Sequence, residues 1–254
     1  MKTVILAGGL GTRLAPYTTV FPKPLMPLGN RPILEIVICQ LREHGFTDIV
    51  MAVGYLSHLL HAYFENGRRF GVKIHYSYED KPLGTAGPLT LIPPTDEPIL
   101  VMNGDVLTDL DFSDLYQFHC HHEAAVTVSM HAKEVRIDLG VLETNSPCHV
   151  VDYIEKPTFS YQVSMGIYVV DPAVLALLPK GARVDFPDMV HMLLDRGENV
   201  AGYMFNGLWL DIGRPDDYAR AVELVDSLHV PFPKERSRKA SVEPSLATLS
   251  NDGH

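Results

Sequence analysis

The sequence predicts an α/β fold: a doubly wound, mostly parallel sheet with a small antiparallel β insertion. Three observations carry the prediction. Short apolar runs alternate with segments of helical periodicity through the first half. The first apolar run, Val4-Ile5-Leu6-Ala7, passes straight into a glycine-rich turn. Midway along the second half, strand-like segments follow one another with only turn residues between them. Strands separated by helices need right-handed crossovers, which build a parallel sheet with helices on both faces.

The elements follow in order. Val4–Ala7 reads as the first strand. Pro32–His44 has helical spacing (Ile33, Ile36, Val37, Leu41) and stops at Gly45. Asp48–Val53 is the next strand. Ser57 is placed to cap a helix running to Asn66, with Gly67 as its stop. Lys73–Tyr78, Ile99–Met102 and Ala125–Met130 read as strands, with a helix starting at Leu115 after the turn and cap residues Asp109, Asp111 and Asp114. Leu139–Glu143, His149–Ile154 and Ser164–Val170 are short strands that form the inserted lobe. Pro187–Arg196 is a helix ending at Gly197, Val200–Phe205 a strand, Gly207–Leu210 strand-like, and Pro215–Leu228 a last helix with proline at its first position.

The chain has 254 residues, 46% of them hydrophobic, which suits one α/β domain with a substantial core. We expect a single domain over residues 1–230. Residues 231–254 lose hydrophobic periodicity and read as a flexible tail. No apolar run approaches the ~20 residues a membrane span needs, and glycines interrupt the first apolar run too early for a signal segment. Only three cysteines occur (Cys39, Cys120, Cys148), with Cys39 in a core-like helical pattern, so a reduced cytoplasmic protein is expected. The formal net charge of −10 argues against a nucleic-acid partner, which needs a basic surface.

Chemistry concentrates in Gly8-Gly9-Leu10-Gly11-Thr12-Arg13-Leu14 and Pro22-Lys23-Pro24-Leu25. Glycines let backbone N–H groups approach an anion. Arg13 can fork onto phosphate oxygens, and Lys23 can serve as a mobile point charge. The stretch reads as a polyphosphate cradle. A dinucleotide fingerprint would need a third glycine where Leu14 stands, and a P-loop would need lysine directly after Gly11.

The whole run GGLGTRLAPYTTVFPKPLMPL resembles the signature of the sugar-1-phosphate nucleotidyltransferases, or nucleotide-sugar pyrophosphorylases. The resemblance continues at Pro82–Gly87 (PLGTAG), Asn103-Gly104-Asp105, Glu155-Lys156-Pro157 and Trp209–Gly213 (WLDIG), and so covers nearly all of residues 1–225. It implies a Rossmann-like sheet, the nucleotide-diphospho-sugar transferase fold. It also implies transfer of a nucleotidyl group from a nucleoside triphosphate to a sugar 1-phosphate with release of pyrophosphate, in the supply of nucleotide sugars for polysaccharide biosynthesis. No membrane partner is implied, and homo-oligomerisation is left open. Bringing two polyanions together is costly, since unit charges ~4 Å apart repel by ~4 kcal/mol near a protein surface. With so acidic a chain, local cations must cancel these terms: Arg13, Lys23, Lys156 and magnesium (Mg2+).

On the resemblance, Arg13 and Lys23 are the catalytic pair. The nucleotide set is Leu6, Ala7, Gly8, Gly9, Gly11, Thr12, Glu79, Pro82, Gly84, Asn103 and Gly104. The sugar-phosphate set is Gly140, Glu155, Lys156, Ser164 and Gly166. Asp105 and Asp211 are the metal ligands. An aspartate at a strand end is often only a turn or cap residue, and Glu155-Lys156 alone would read as an exposed ion pair. Their match to the family motifs favours the functional roles. Pyrimidine-using members commonly carry Gln at position 79, whereas Glu79 only accepts hydrogen bonds and so matches the two adjacent donors of guanine. GTP is therefore the expected donor, and the resemblance is greatest to the mannose-1-phosphate guanylyltransferases, which implies mannose 1-phosphate as acceptor. Alternatives are heptose 1-phosphate with GTP, glucose 1-phosphate with a pyrimidine triphosphate, and a non-catalytic nucleotide-sugar-binding regulatory subunit. His119-Cys120-His121-His122 lacks the spacing of a structural zinc site and reads as a polar helix end.

Overall fold

The computed structural model describes residues 1–9, 11–14 and 16–225. The predicted tail lies outside the described residues. The elements, in chain order, are β1 (Lys2–Ala7), β2 (Pro27–Leu28), β3 (Arg31–Pro32), α1 (Ile33–Glu43), β4 (Asp48–Val53), α2 (Ser57–Phe64) and β5 (Lys73–Tyr78). Next come β6 (Ile99–Asn103), β7 (Val106–Thr108), α3 (Phe112–His121), β8 (Val126–Arg136), β9 (Val141–Ser146), β10 (His149–Ile154) and β11 (Thr158–Val170). The chain continues through α4 (Pro172–Leu177), α5 (Phe186–Asp195), β12 (Val200–Phe205), β13 (Trp209–Asp211) and α6 (Pro215–Val225).

Seven strands form the central sheet in the order β12-β8-β11-β6-β1-β4-β5. Only β11 runs against its neighbours, pairing antiparallel with both β6 and β8; the other pairings in this sheet are parallel. The sheet is buried on both faces, as a parallel sheet with flanking helices requires. Successive residues of β1 show it: Ile5 packs with Leu34, Val37, Leu60 and Phe64 of α1 and α2, while Val4 packs with Val174, Phe186 and Met189 of α4 and α5. A smaller cluster of Leu14, Met26, Ile33, Ile36, Leu107, Leu210 and Ile212 sits beneath the glycine-rich turn. It joins that turn to the β7–β13 pair. No helix among the described residues is long and apolar enough to cross a membrane.

From β1 the chain crosses to β4 on one side and later returns to β6 on the other. The carboxyl ends of β1 and β6 therefore diverge into a crevice, the place where open α/β sheets bind ligands.

Several elements differ from the sequence expectation. β11 is 13 residues long and belongs to the main sheet, so Ser164–Val170 is its inner half and not a separate short strand of the lobe. The β9–β10 hairpin alone forms the two-stranded insertion. Residues 132–136 of β8 pair only with 158–162 of β11, making an arm that projects beyond the carboxyl edge of the sheet. Ser57 is the first residue of α2, not its cap; Leu56 before it takes left-handed geometry (φ 54°) and contributes no side-chain cap. α3 begins at Phe112, because Asp111 accepts from the N–H groups of Ser113 and Asp114 and so starts the helix one turn before Leu115. Asp114 thus lies inside the first turn.

Candidate functional site

A cavity of about 600 Å³ opens at the carboxyl ends of β1, β4, β5 and β6. β1 and the turn after it supply Leu6, Ala7, Gly8, Gly9, Gly11, Thr12 and Arg13; β6 supplies Asn103 and, just beyond, Asp105. The loop after β5 supplies Glu79, Pro82, Gly84 and Thr85. Thr18 closes the glycine-rich turn by donating its hydroxyl to Gly11 O at 2.7 Å. Glu79 is half-buried. Its Oε2 accepts from Leu83 N–H at 2.8 Å, and its Oε1 lies 2.9 Å from where a Cβ at Gly8 would stand. Glycine at position 8 is what leaves room for that carboxylate. Burial pushes the Glu79 pKa upward, partly offset by the Leu83 hydrogen bond.

Lys23 stands in a tight 3-10 turn (Lys23–Leu25) and donates to Asp105 Oδ2. Both side chains are largely buried, 10% and 19% exposed, so the pair is shielded from solvent. Asp211 ends β13, which pairs antiparallel with β7 and sets Asp211 opposite Val106. Ile212 N–H donates to Asp105 O at 3.2 Å, tying the two aspartate segments together. The Asp211 carboxyl is pushed above its usual range, first by burial and then by the Asp105 charge, with Lys23 and Arg13 pulling the other way. Arg13 Nη1 and Asp211 Oδ2 each lie 3.5 Å from the position a Cβ at Gly213 would occupy, so cation and carboxylate converge on one glycine.

Among the described residues no group of three or more His, Cys, Asp or Glu side chains could hold a metal. Magnesium needs less, since one or two carboxylates suffice when phosphate oxygens and water complete its shell. Asp105 already draws a cation, and Asp211 feels the Asp105 charge beside it. The two carboxylates fit such an ion.

The sugar-side residues are placed differently. Gly140, Glu155 and Lys156 lie outside the cavity lining, beside the β9–β10 hairpin. Glu155 accepts from Tyr153 O–H at 3.0 Å and pairs with Lys156 at 3.7 Å, both side chains more than half exposed. Lys156 has φ 47°, unusual for a side-chain-bearing residue and a mark of a shaped turn. Ser164 hydrogen-bonds Tyr168 O–H at 3.0 Å. Gly166 abuts Asn103, where a Cβ would come within 2.6 Å of Nδ2, so it sits at the cavity's edge. Gly104 and Asp211 also stand behind the lining, Gly104 donating its N–H to Leu6 O at 3.0 Å.

The cavity is also lined by residues that the predicted site sets left out: Pro24, Gly54, Tyr55, Asp80, Lys81, Thr85, Pro88 and Gly213. Gly54 and Tyr55 follow β4 as Gly8 and Gly9 follow β1, and that parallel was the available signal. Lys81 is a third lining cation. His119 belongs to the buried side of α3, 2% exposed, with Nδ1 2.9 Å from Thr127 Oγ1.

Comparison with known proteins agrees with this geometry. A UTP–glucose-1-phosphate uridylyltransferase from Synechocystis sp. is 34% identical over 250 residues, covering 91% of this chain and 64% of that protein. Mannose-1-phosphate guanyltransferase beta-A from Xenopus laevis is 36% identical over 227 residues, covering 86% and 62%. The chain thus spans about three-fifths of the length of these curated relatives. A crystal structure from Bacillus anthracis, described as a glucose-1-phosphate thymidylyltransferase in complex with a sucrose, superposes with a TM-score of 0.73 at 26% identity, covering 92% of this chain and 98% of that one. HddC from Yersinia pseudotuberculosis shares the fold, with a TM-score of 0.69 at 23% identity over 88% and 99% of the two chains. The family model for nucleotidyl transferases matches residues 2–227, nearly all of the described structure, and the chain belongs to that family.

Proposed function

We propose that this domain transfers a guanylyl group from GTP to mannose 1-phosphate, giving GDP-mannose and pyrophosphate. The observation that carries the reading is the convergence of glycine backbone, Arg13, Lys23 and the Asp105–Asp211 pair at the β1/β6 crevice. The base lies against Gly8, Gly9 and Gly84, with Glu79 at its edge. Glu79 Oε2 is engaged by Leu83, and Oε1 is left to accept from the guanine N1–H or exocyclic amine. The names of relatives such as the Xenopus laevis guanyltransferase support the choice of guanine and mannose.

In the reaction, an oxygen of the sugar phosphate attacks the α-phosphorus. That P–O bond forms as the bond to the β-phosphate oxygen breaks, and pyrophosphate leaves. Such chemistry needs alignment and charge neutralisation more than proton transfer. Arg13 meets the charge growing on the leaving pyrophosphate. Lys23 turns from Asp105 to the α-phosphate. Lys156 and Glu155 hold the sugar 1-phosphate from the arm that overhangs the crevice, with Gly140, Ser164 and Gly166 shaping that side. Asp105 and Asp211 would hold magnesium, which supplies phosphate neutralisation when bound. The three free cysteines suit the reducing cytoplasm, where we place the reaction.

Pyrophosphate release measured for each triphosphate against several sugar 1-phosphates tests this. GTP with mannose 1-phosphate should give the highest kcat/KM. A preference for a pyrimidine triphosphate with glucose 1-phosphate would sink the guanine assignment, and no release with any pair would sink the reaction.

A further inference from the structure

One wall of the cavity, the loop 79–87, takes its anchorage from a segment a hundred positions further along the chain. Val184 N–H donates to Leu83 O at 2.9 Å, and Val184 O accepts from Ala86 and Gly87 N–H at 2.9 and 3.0 Å. Asp185 adds side-chain ties: its Oδ1 accepts from Thr85 N–H at 3.0 Å and faces Thr85 Oγ1 at 3.4 Å. Thr85 Oγ1 in turn accepts from Phe186 N–H at 2.8 Å. The approach is close enough that a Cβ at Gly84 would lie 2.6 Å from Asp185 Oδ1, and Gly84 takes φ +81°. Asp185 is also the N-cap residue of α5, and its own N–H donates to Asp188 Oδ2 at 3.1 Å.

The same segment reaches the sugar side. Phe186, 2% exposed, stacks on Tyr168 of β11 with centroids 3.7 Å apart and planes 7° from parallel. The Ser164 hydroxyl donates to the Tyr168 phenol oxygen, and Gly166 abuts Asn103. A continuous packed path therefore joins the loop beside the base to the strand beside the sugar phosphate.

We propose that Asp185 is a positioning residue for nucleotide selection. It holds Thr85, and through it the Gly84 and Glu79 wall, at the height the base requires. Asp185 touches no substrate and does not line the cavity. This rests on the reading of the cavity as a GTP site.

The test is direct titration of the purified protein with GTP and magnesium, alongside steady-state kinetics with mannose 1-phosphate. Asp185→Ala should weaken GTP binding and raise its KM about tenfold, the scale of losing one or two anchoring hydrogen bonds. It should also narrow the preference for GTP over ATP, and leave the mannose 1-phosphate KM within about twofold of wild type. Asp185→Asn keeps the acceptor oxygen and should restore binding. Asp188→Ala breaks the reciprocal contact at the α5 start without touching the loop. It should lower thermal stability while sparing GTP affinity. Should Asp185→Ala not fold, Thr85→Val removes the hydroxyl links to Asp185 and to Phe186 N–H while keeping the backbone tie; it should give a smaller GTP defect in the same direction, with Thr85→Ser its rescue. Wild-type GTP affinity in both Asp185→Ala and Thr85→Val, or an equal GTP defect in Asp188→Ala, would overturn the positioning role. A wild-type protein that binds no triphosphate would overturn the functional reading itself, and this inference with it.

Discussion

The Lys23 ammonium rests on the Asp105 carboxylate, two groups 82 positions apart in sequence and both largely withdrawn from water. On the proposed metal assignment, the Lys23 ammonium occupies the electrostatic place beside Asp105 that magnesium would take. Removing it leaves a shielded carboxylate without a partner, which costs on the order of 3 kcal/mol. Lys23→Met should therefore be less stable than wild type, yet bind magnesium more tightly in the absence of nucleotide, because no ammonium competes. Melting curves with and without magnesium read both effects. An unchanged magnesium response would separate Lys23 from the metal site. Turnover should fall regardless if Lys23 meets the α-phosphate as proposed.

Asp211 predicts a pH signature. Burial and the Asp105 charge raise its pKa above the ordinary value of 3.8. As pH climbs through the window from 3.8 to the raised value, the unfolded chain has shed a proton that the native state still holds. Stability then falls with rising pH and stays lower at neutrality. Asp211→Asn should melt higher than metal-free wild type at pH 7, with the gap closing below pH 3.8. Magnesium should raise the melting point of wild type but not of the variant. Both Asp105→Ala and Asp211→Ala should abolish magnesium-dependent pyrophosphate release, and near-normal turnover in both would refute the metal assignment.

On the proposed pairing, Glu79 accepts most strongly from guanine when ionised, and its pKa is raised by burial. The GTP KM should rise as pH falls through that raised value. Glu79→Gln should flatten this profile and lower the preference for GTP over UTP about tenfold, the worth of one charge-assisted hydrogen bond. Kinetics across pH with both nucleotides decide it, and an unaltered preference in the variant would remove Glu79 from base recognition.

Lys156 is exposed and paired only weakly with Glu155. If it grips the sugar phosphate, Lys156→Ala should raise the KM for mannose 1-phosphate about tenfold to a hundredfold and leave melting behaviour nearly unchanged. A rise confined to the GTP KM would reassign the residue.

The nucleotide half of this site was legible because its residues cluster near strand ends. Gly8, Gly11, Arg13 and Lys23 sit within a short run, and Asn103-Gly104-Asp105 marks the end of an apolar strand. β4 is buried almost along its whole length and reads as a continuous apolar run, and the edge strand β5 alternates polar and apolar residues; both were placed at their true limits. β8 and β11 were misjudged because their outer halves leave the sheet. Residues 132–136 are all exposed, Ala132 and Val135 included, and neither length nor direction is encoded where no face is buried. Asp185 was invisible for another reason: it acts on Thr85 across the fold, and local sequence carries no trace of a contact 100 positions away.

The reversed strand β11 has one more consequence, for how such a domain changes over time. Its inner residues Tyr168–Val170 are clamped between β6 and β8, which sets the register of the whole arm. At the arm's far end, Ile137 N–H donates to Pro157 O at 3.0 Å, so residues 138–156 leave and re-enter at one point. Doubling the length of such a closed excursion costs only ~0.6 kcal/mol. The β9–β10 hairpin is thus a cassette that can be lengthened, trimmed or exchanged while the central sheet keeps its shape.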